Sequence, residues 1–65
     1  MTLTILTKGN DSTEVSLVWE KYGCFYARVY EIWGSEWHET RTSNPYTDEK
    51  KARAAFNRYV KKYLA

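Results

Sequence analysis

An α+β fold is predicted for this chain. It is a three- to four-stranded antiparallel meander with one C-terminal α-helix packed on one face, and residues 1–65 form a single small β-β-β(-β)-α domain. Three observations predict it. Cys24–Trp33, reading CFYARVYEIW, is ten residues without Gly or Pro, rich in aromatic and β-branched side chains. Such residues fit a pleated surface, which places this strand near the middle of the sheet. Shorter stretches around it alternate with period two and are separated by Gly, Asn and Asp turn signals. Finally, Ala52, Ala55, Phe56, Tyr59, Val60, Tyr63 and Leu64 recur at i, i+3, i+4, i+7, i+8, i+11 and i+12, the apolar stripe of an amphipathic helix.

The elements follow in order. Thr2–Lys8 alternates, with Leu3 and Ile5 on one side and Thr2, Thr4 and Leu6 on the other, as a short edge strand would. Gly9-Asn10-Asp11-Ser12 is a turn, because these residues tolerate the backbone angles of a tight reversal. Thr13–Glu20 is the next strand. Val15, Leu17 and Trp19 point one way and Glu14, Ser16 and Glu20 the other, with Val18 the exception.

Parity sizes the connections. A three-residue loop, Lys21-Tyr22-Gly23, pairs Trp19 with Phe25, Leu17 with Ala27 and Val15 with Val29. That unites the apolar sides, whereas a two-residue loop would scramble them. Gly23 then takes the positive-φ position that commonly ends such a loop. Gly34-Ser35 reads as a two-residue hairpin turn pairing Ile32 with Trp37, Glu31 with His38 and Tyr30 with Glu39, which sets a last strand over Glu36–Thr42. Asn44-Pro45 ends the sheet, since proline lacks a ladder donor. Thr47 is the candidate helix N-cap. Asp48 and Glu49 occupy the first turn, at the positive end of the helix dipole, and Lys61 and Lys62 the last.

Size limits what the fold can draw on. A domain of 65 residues buries about 60% of the surface its unfolded chain exposes. Cys24 is the sole cysteine, so no intrachain disulfide can help. The core must come from large side chains, and three Trp, six Tyr and two Phe are present, each able to bury roughly 150–250 Å². A lone cysteine suits a reducing compartment, and a cytoplasmic location is expected. The first residues lack the basic opening and apolar core of a signal peptide. No run approaches the ~20 apolar residues of a membrane span, and no membrane partner is expected.

The two sides of the sheet carry the functional expectation. Leu3, Ile5, Val15, Leu17, Trp19, Phe25, Ala27 and Val29 are assigned to the helix. The other face shows Val18, Tyr26, Arg28, Tyr30, Ile32, Trp37, Glu39 and Arg41, and nothing remains in the chain to cover it. Exposed aromatics with arginine are the composition of binding hot spots. Tyr26, Arg28, Tyr30, Ile32, Trp37 and Arg41 are therefore the candidate partner-binding residues, for a protein partner or a second copy of the chain. The bland alternative is a solvated face whose Tyr and Arg side chains lie flat on their neighbours.

Catalysis is not expected. His38 is the sole histidine and lies seven residues from Cys24 in register, about 23 Å at ~3.3 Å per residue and on the opposite face. Glu31–His38 is instead a cross-strand ion pair. Glu36, His38 and Glu39 alternate along one strand and do not converge as metal ligands. No cofactor, metal or small-molecule substrate is expected. A small non-catalytic domain of this kind suits an accessory or inhibitor protein such as phage and mobile elements encode, anti-CRISPR proteins among them.

Nucleic acid is the alternative partner. Strands followed by a helix opening T-D-E-K-K-A resemble the AP2-like and integrase arm-binding domains in order of elements. That resemblance implies DNA reading by the sheet, with recognition positions at Arg28, Tyr30, Arg41 and their neighbours. Glu14, Glu31, Glu36 and Glu39 depart from that pattern. Residues 1–46 carry four cations against six acids, net −2, and residues 47–65 six cations against two acids, net +4. A sheet end of that sign opposes the phosphate neutralisation that supplies non-specific affinity.

Overall fold

The computed structural model describes residues 2–64. Four strands, β1 (Thr2–Gly9), β2 (Thr13–Glu20), β3 (Cys24–Trp33) and β4 (Glu36–Thr42), precede one helix, α1 (Glu49–Leu64). The strands form one antiparallel sheet in the order β1-β2-β3-β4, so each hairpin pairs sequence neighbours. The helix lies across the two central strands, β2 and β3.

The β2–β3 hairpin has the expected register, with Val15 opposite Val29, Leu17 opposite Ala27 and Trp19 opposite Phe25. Gly23 closes it at φ 94°, and its N–H donates to the Glu20 carbonyl at 2.9 Å. The β3–β4 turn is also as expected, with Ile32 opposite Trp37, Glu31 opposite His38 and Tyr30 opposite Glu39. Gly34 and Ser35 both have positive φ, 63° and 66°. That is the type I′ geometry whose twist suits a two-residue hairpin. In the β1–β2 turn, Asn10 Oδ1 accepts from the N–H groups of Ser12 and Thr13, both at 3.0 Å. Gly9 just before it packs against backbone: a Cβ there would lie 2.8 Å from the Thr13 carbonyl oxygen.

Two β-bulges depart from the expected alternation. In β1, Thr4 faces Val18 but Leu6 faces Leu17, leaving Ile5 as the extra residue. Residues directly opposite in a ladder share a face, so Leu6 moves to the helix side with Leu17, and Thr7 takes the outer position against Ser16. In β4 the extra residue is Thr40, between Glu39 opposite Tyr30 and Arg41 opposite Val29. Arg41 therefore sits on the helix side of the sheet, and Thr42, opposite Arg28, takes its place on the outer face.

The core lies between the sheet and the helix. Val15, Leu17, Ala27 and Val29 from the strands meet Ala52, Ala55 and Phe56 from the helix, and all are buried. Ile5, Phe25, Tyr46, Tyr59, Val60, Tyr63 and Leu64 close around them. Leu3 and Trp19 flank this cluster without joining it, Leu3 exposed and Trp19 half-buried. Asp48, and not Thr47, caps the helix: its Oδ1 accepts from the Lys50 N–H at 2.9 Å. An aspartate one residue later meets the same orphan donors and adds a negative charge at the helix N-terminus. Pro45 does not end pairing at once. Ser43 N–H donates to the Ala27 carbonyl at 2.9 Å, and Tyr46 makes reciprocal backbone bonds with Phe25 at 2.7 and 2.9 Å. This return segment shields the first half of β3 where β4 has already ended.

Candidate functional site on the open sheet face

Among the described residues no element lies over the side of the sheet away from α1. Two of its residues are nevertheless buried: Val18 is 2% exposed and Ser16 4% exposed. Their seal is made by neighbouring side chains on the same face. Tyr26 stands opposite Val18 and Arg28 opposite Ser16 on β3, with Thr4 and Thr7 opposite them on β1.

Arg28 is the centre of this layer. Its Nη2 lies 3.2 Å from Glu20 Oε1 on β2, and its Nε 3.8 Å from Glu39 Oε1 on β4. The guanidinium carbon is 5.2 Å from the centre of the Tyr26 ring, within cation–π range. The network extends outward at both ends. Thr2 Oγ1 donates to Glu20 Oε1 at 2.8 Å, and Thr42 Oγ1 donates to Glu39 Oε2. A polar chain, Thr2–Glu20–Arg28–Glu39–Thr42, thus crosses all four strands. The β4 bulge makes its last link, because without the extra Thr40 the side chains of Glu39 and Thr42 would point to opposite faces. Burial acts to lower the Arg28 pKa, but Glu39, Tyr30 and Glu20 together outweigh it and hold the group above its ordinary value. The guanidinium is charged throughout the physiological range and lies between two carboxylates, while its buried Nε, 3.8 Å from Glu39 Oε1, makes no hydrogen bond.

Aromatic patches flank this chain. At the β2–β3 loop, Tyr22 meets Tyr26 edge-on with ring centres 6.4 Å apart, and the two hydroxyls are hydrogen-bonded. The bond to Tyr26, with a smaller effect of desolvation, pushes the Tyr22 pKa up to about 12. At the other end Tyr30 stands opposite Glu14, and Ile32 opposite Trp37. Trp37 is 47% exposed.

Of the six candidate binding residues, Tyr26, Arg28, Tyr30, Ile32 and Trp37 are on this face. Arg41 is not, because the β4 bulge turns it to the helix side. Glu20, Thr42 and Tyr22 join the site. Glu20 was legible from the alternation of β2, Thr42 required the bulge, and nothing in the residue pattern marks the loop residue Tyr22.

The remaining chemistry-bearing residues are dispersed. Cys24, opposite Glu20, and His38, opposite Glu31, sit on different faces. The expected Glu31–His38 ion pair does not form. The His38 ring stacks on Trp33 at 3.4 Å and 6°. Its Nε2 lies 3.2 Å from the Trp33 carbonyl oxygen and 4.0 Å from Glu36 Oε2. Stacking on an aromatic neighbour draws the imidazole along β4 and away from Glu31. Among the described residues no three of His, Cys, Asp and Glu gather as a metal site, and no helix is long and apolar enough to cross a membrane.

Comparison of the chain with family models, with curated proteins and with solved structures returned no match.

Proposed function

We propose that this protein is a non-catalytic binding module that engages a protein partner through its open sheet face. The observation that carries this reading is the order of that face. Arg28 is held between Glu20 and Glu39 against the Tyr26 ring, with Tyr30, Ile32 and a half-exposed Trp37 further along the same face. An interface anchor that is already immobilised loses little rotamer entropy on binding. Aromatic side chains and arginine are enriched in protein–protein hot spots, and here aromatic groups flank the arginine and its carboxylates.

Two features favour the face over the sheet edges and over nucleic acid. Each edge strand, β1 and β4, carries a bulge, and bulged edges resist strand addition. Arg28, the one arginine left on the face, is already paired. With Glu14, Glu20 and Glu39 beside it, the face carries three carboxylates against one cation. Phosphate would meet repulsion there, and a partner with basic and apolar groups would not.

The test compares wild type with Trp37→Ala and Ile32→Ala in affinity capture from source cells, with sedimentation velocity across concentration to detect self-association. A partner, or a dimer, that is lost in both variants while folding is preserved supports the reading. A partner retained by both, with no self-association, contradicts it.

A further inference from the structure

We infer that the outer surface of α1 is a second docking surface, for the phosphate backbone of duplex DNA, on the side of the molecule opposite the sheet face. The inference does not depend on a protein partner for that face. The helix is sixteen residues long. Its apolar stripe is turned to the core, which leaves Lys50, Lys51, Ala54, Asn57, Arg58, Lys61 and Lys62 exposed along the outside. Five of these seven are cations. Among the described residues no carboxylate lies within ion-pair distance of any of the five; the helix's one ion pair, Arg53–Glu49 at 2.8 Å, stands beside this row.

Shape and charge both point to a linear polyanion. From Lys51 to Lys62 the cations run along about 16 Å of helix at 1.5 Å per residue. Duplex DNA carries one phosphate per ~1.7 Å of its axis when both strands are counted, so a row of this length lies against several negative charges. Its two uncharged members, Ala54 and Asn57, are short, and let a backbone approach the helix closely. An anionic membrane fits less well. An interfacial helix inserts an apolar face, and here that face is committed to the core through Ala52, Ala55 and Phe56. An acidic protein would satisfy the charge without using its linear spacing.

The charge separation also orients the molecule. Residues 47–65 carry net +4 and residues 1–46 net −2. A polyanion attracts the helix side and repels the sheet side, which presents the sheet face outward. The protein would then join a nucleic-acid surface to a protein held on its other side.

The test is fluorescence anisotropy of a labelled duplex of about twenty base pairs with the full chain, in a salt series. Four to five neutralised phosphates give a slope of log K against log salt near −0.9 per phosphate, a loss of about 150- to 500-fold in affinity between 50 and 200 mM salt. The triple substitution Arg58→Gln, Lys61→Gln, Lys62→Gln replaces exposed side chains only, and circular dichroism verifies its fold. It is expected to reduce the slope by between 2 and 3, about one per contact, whereas Trp37→Ala leaves binding unchanged. No binding at about 25 mM salt overturns the inference. So does equal binding by the triple variant, loss of binding in Trp37→Ala, or tighter association with phosphatidylserine vesicles than with the duplex.

Discussion

Arg28 sits on the face away from α1, yet its side chain is only 19% exposed, because the carboxylates of two neighbouring strands and the Tyr26 ring enclose it. Removing the guanidinium strands Glu20 and Glu39 near each other and uncovers Val18 and Ser16. Arg28→Ala is expected to lower stability by about 1–3 kcal/mol, read by urea denaturation, whereas Trp37→Ala, half-exposed on the same face, is expected to change it by less than about 1 kcal/mol. A loss below about 0.5 kcal/mol for Arg28→Ala would mean that the arginine does not organise the layer. Tyr22 offers an independent probe. Its pKa is pushed up to about 12 from 10.0, chiefly by the Tyr26 hydrogen bond. The fold therefore favours neutral Tyr22. The linked stability is fully present below pH 10 and is lost as pH rises through about 12. Absorbance at 295 nm, read as the difference from a Tyr22→Phe variant, should show Tyr22 titrating late, and Tyr26→Phe should return it toward 10.0.

At the scale of elements, the β3–β4 turn carries strain that is open to test. Ser35 occupies φ 66°, a region that costs a side-chain-bearing residue roughly 1 kcal/mol or more. Ser35→Gly is expected to raise stability by about 0.5–1 kcal/mol, measured as a higher denaturation midpoint with unchanged slope. Much of the element level was legible in the residues. Hairpin parity set the β2–β3 register, because only one loop length unites Val15, Leu17, Ala27 and Val29 on one face. The helix stripe was equally plain. The bulges were not. Ile5 and Thr40 leave no local signature, since β-branched residues suit a regular strand as well as a bulged one, and the partner strand decides which forms. One bulge shifts Leu6, which stays exposed, to the helix side of the sheet; the other reaches the site and exchanges Arg41 for Thr42 beside Arg28. The helix cap moved by one residue, as Thr47 and Asp48 are both residue types that can serve and Asp48 takes the bond from the Lys50 N–H.

As a whole, the molecule is a single layer of helix on a single layer of sheet, with its charge divided between the two. The helix consumes the apolar side of β2 and β3. The opposite side is finished by side chains alone, with a polar chain across the middle and aromatic groups at both ends. That finish satisfies part of the bland expectation, since Arg28 and Tyr26 do lie over Val18 and Ser16. It also makes the face a fixed surface, which is the property an interface uses.

The most direct measurement of the central claim is parallel affinity capture with three folded proteins: wild type, Trp37→Ala, and the Arg58→Gln, Lys61→Gln, Lys62→Gln variant, read by quantitative mass spectrometry in nuclease-treated extract. The account predicts a protein retained by wild type and by the helix variant and reduced at least tenfold with Trp37→Ala, about 1.4 kcal/mol of binding free energy. Equal retention by wild type and Trp37→Ala, with loss only in the helix variant, would contradict it.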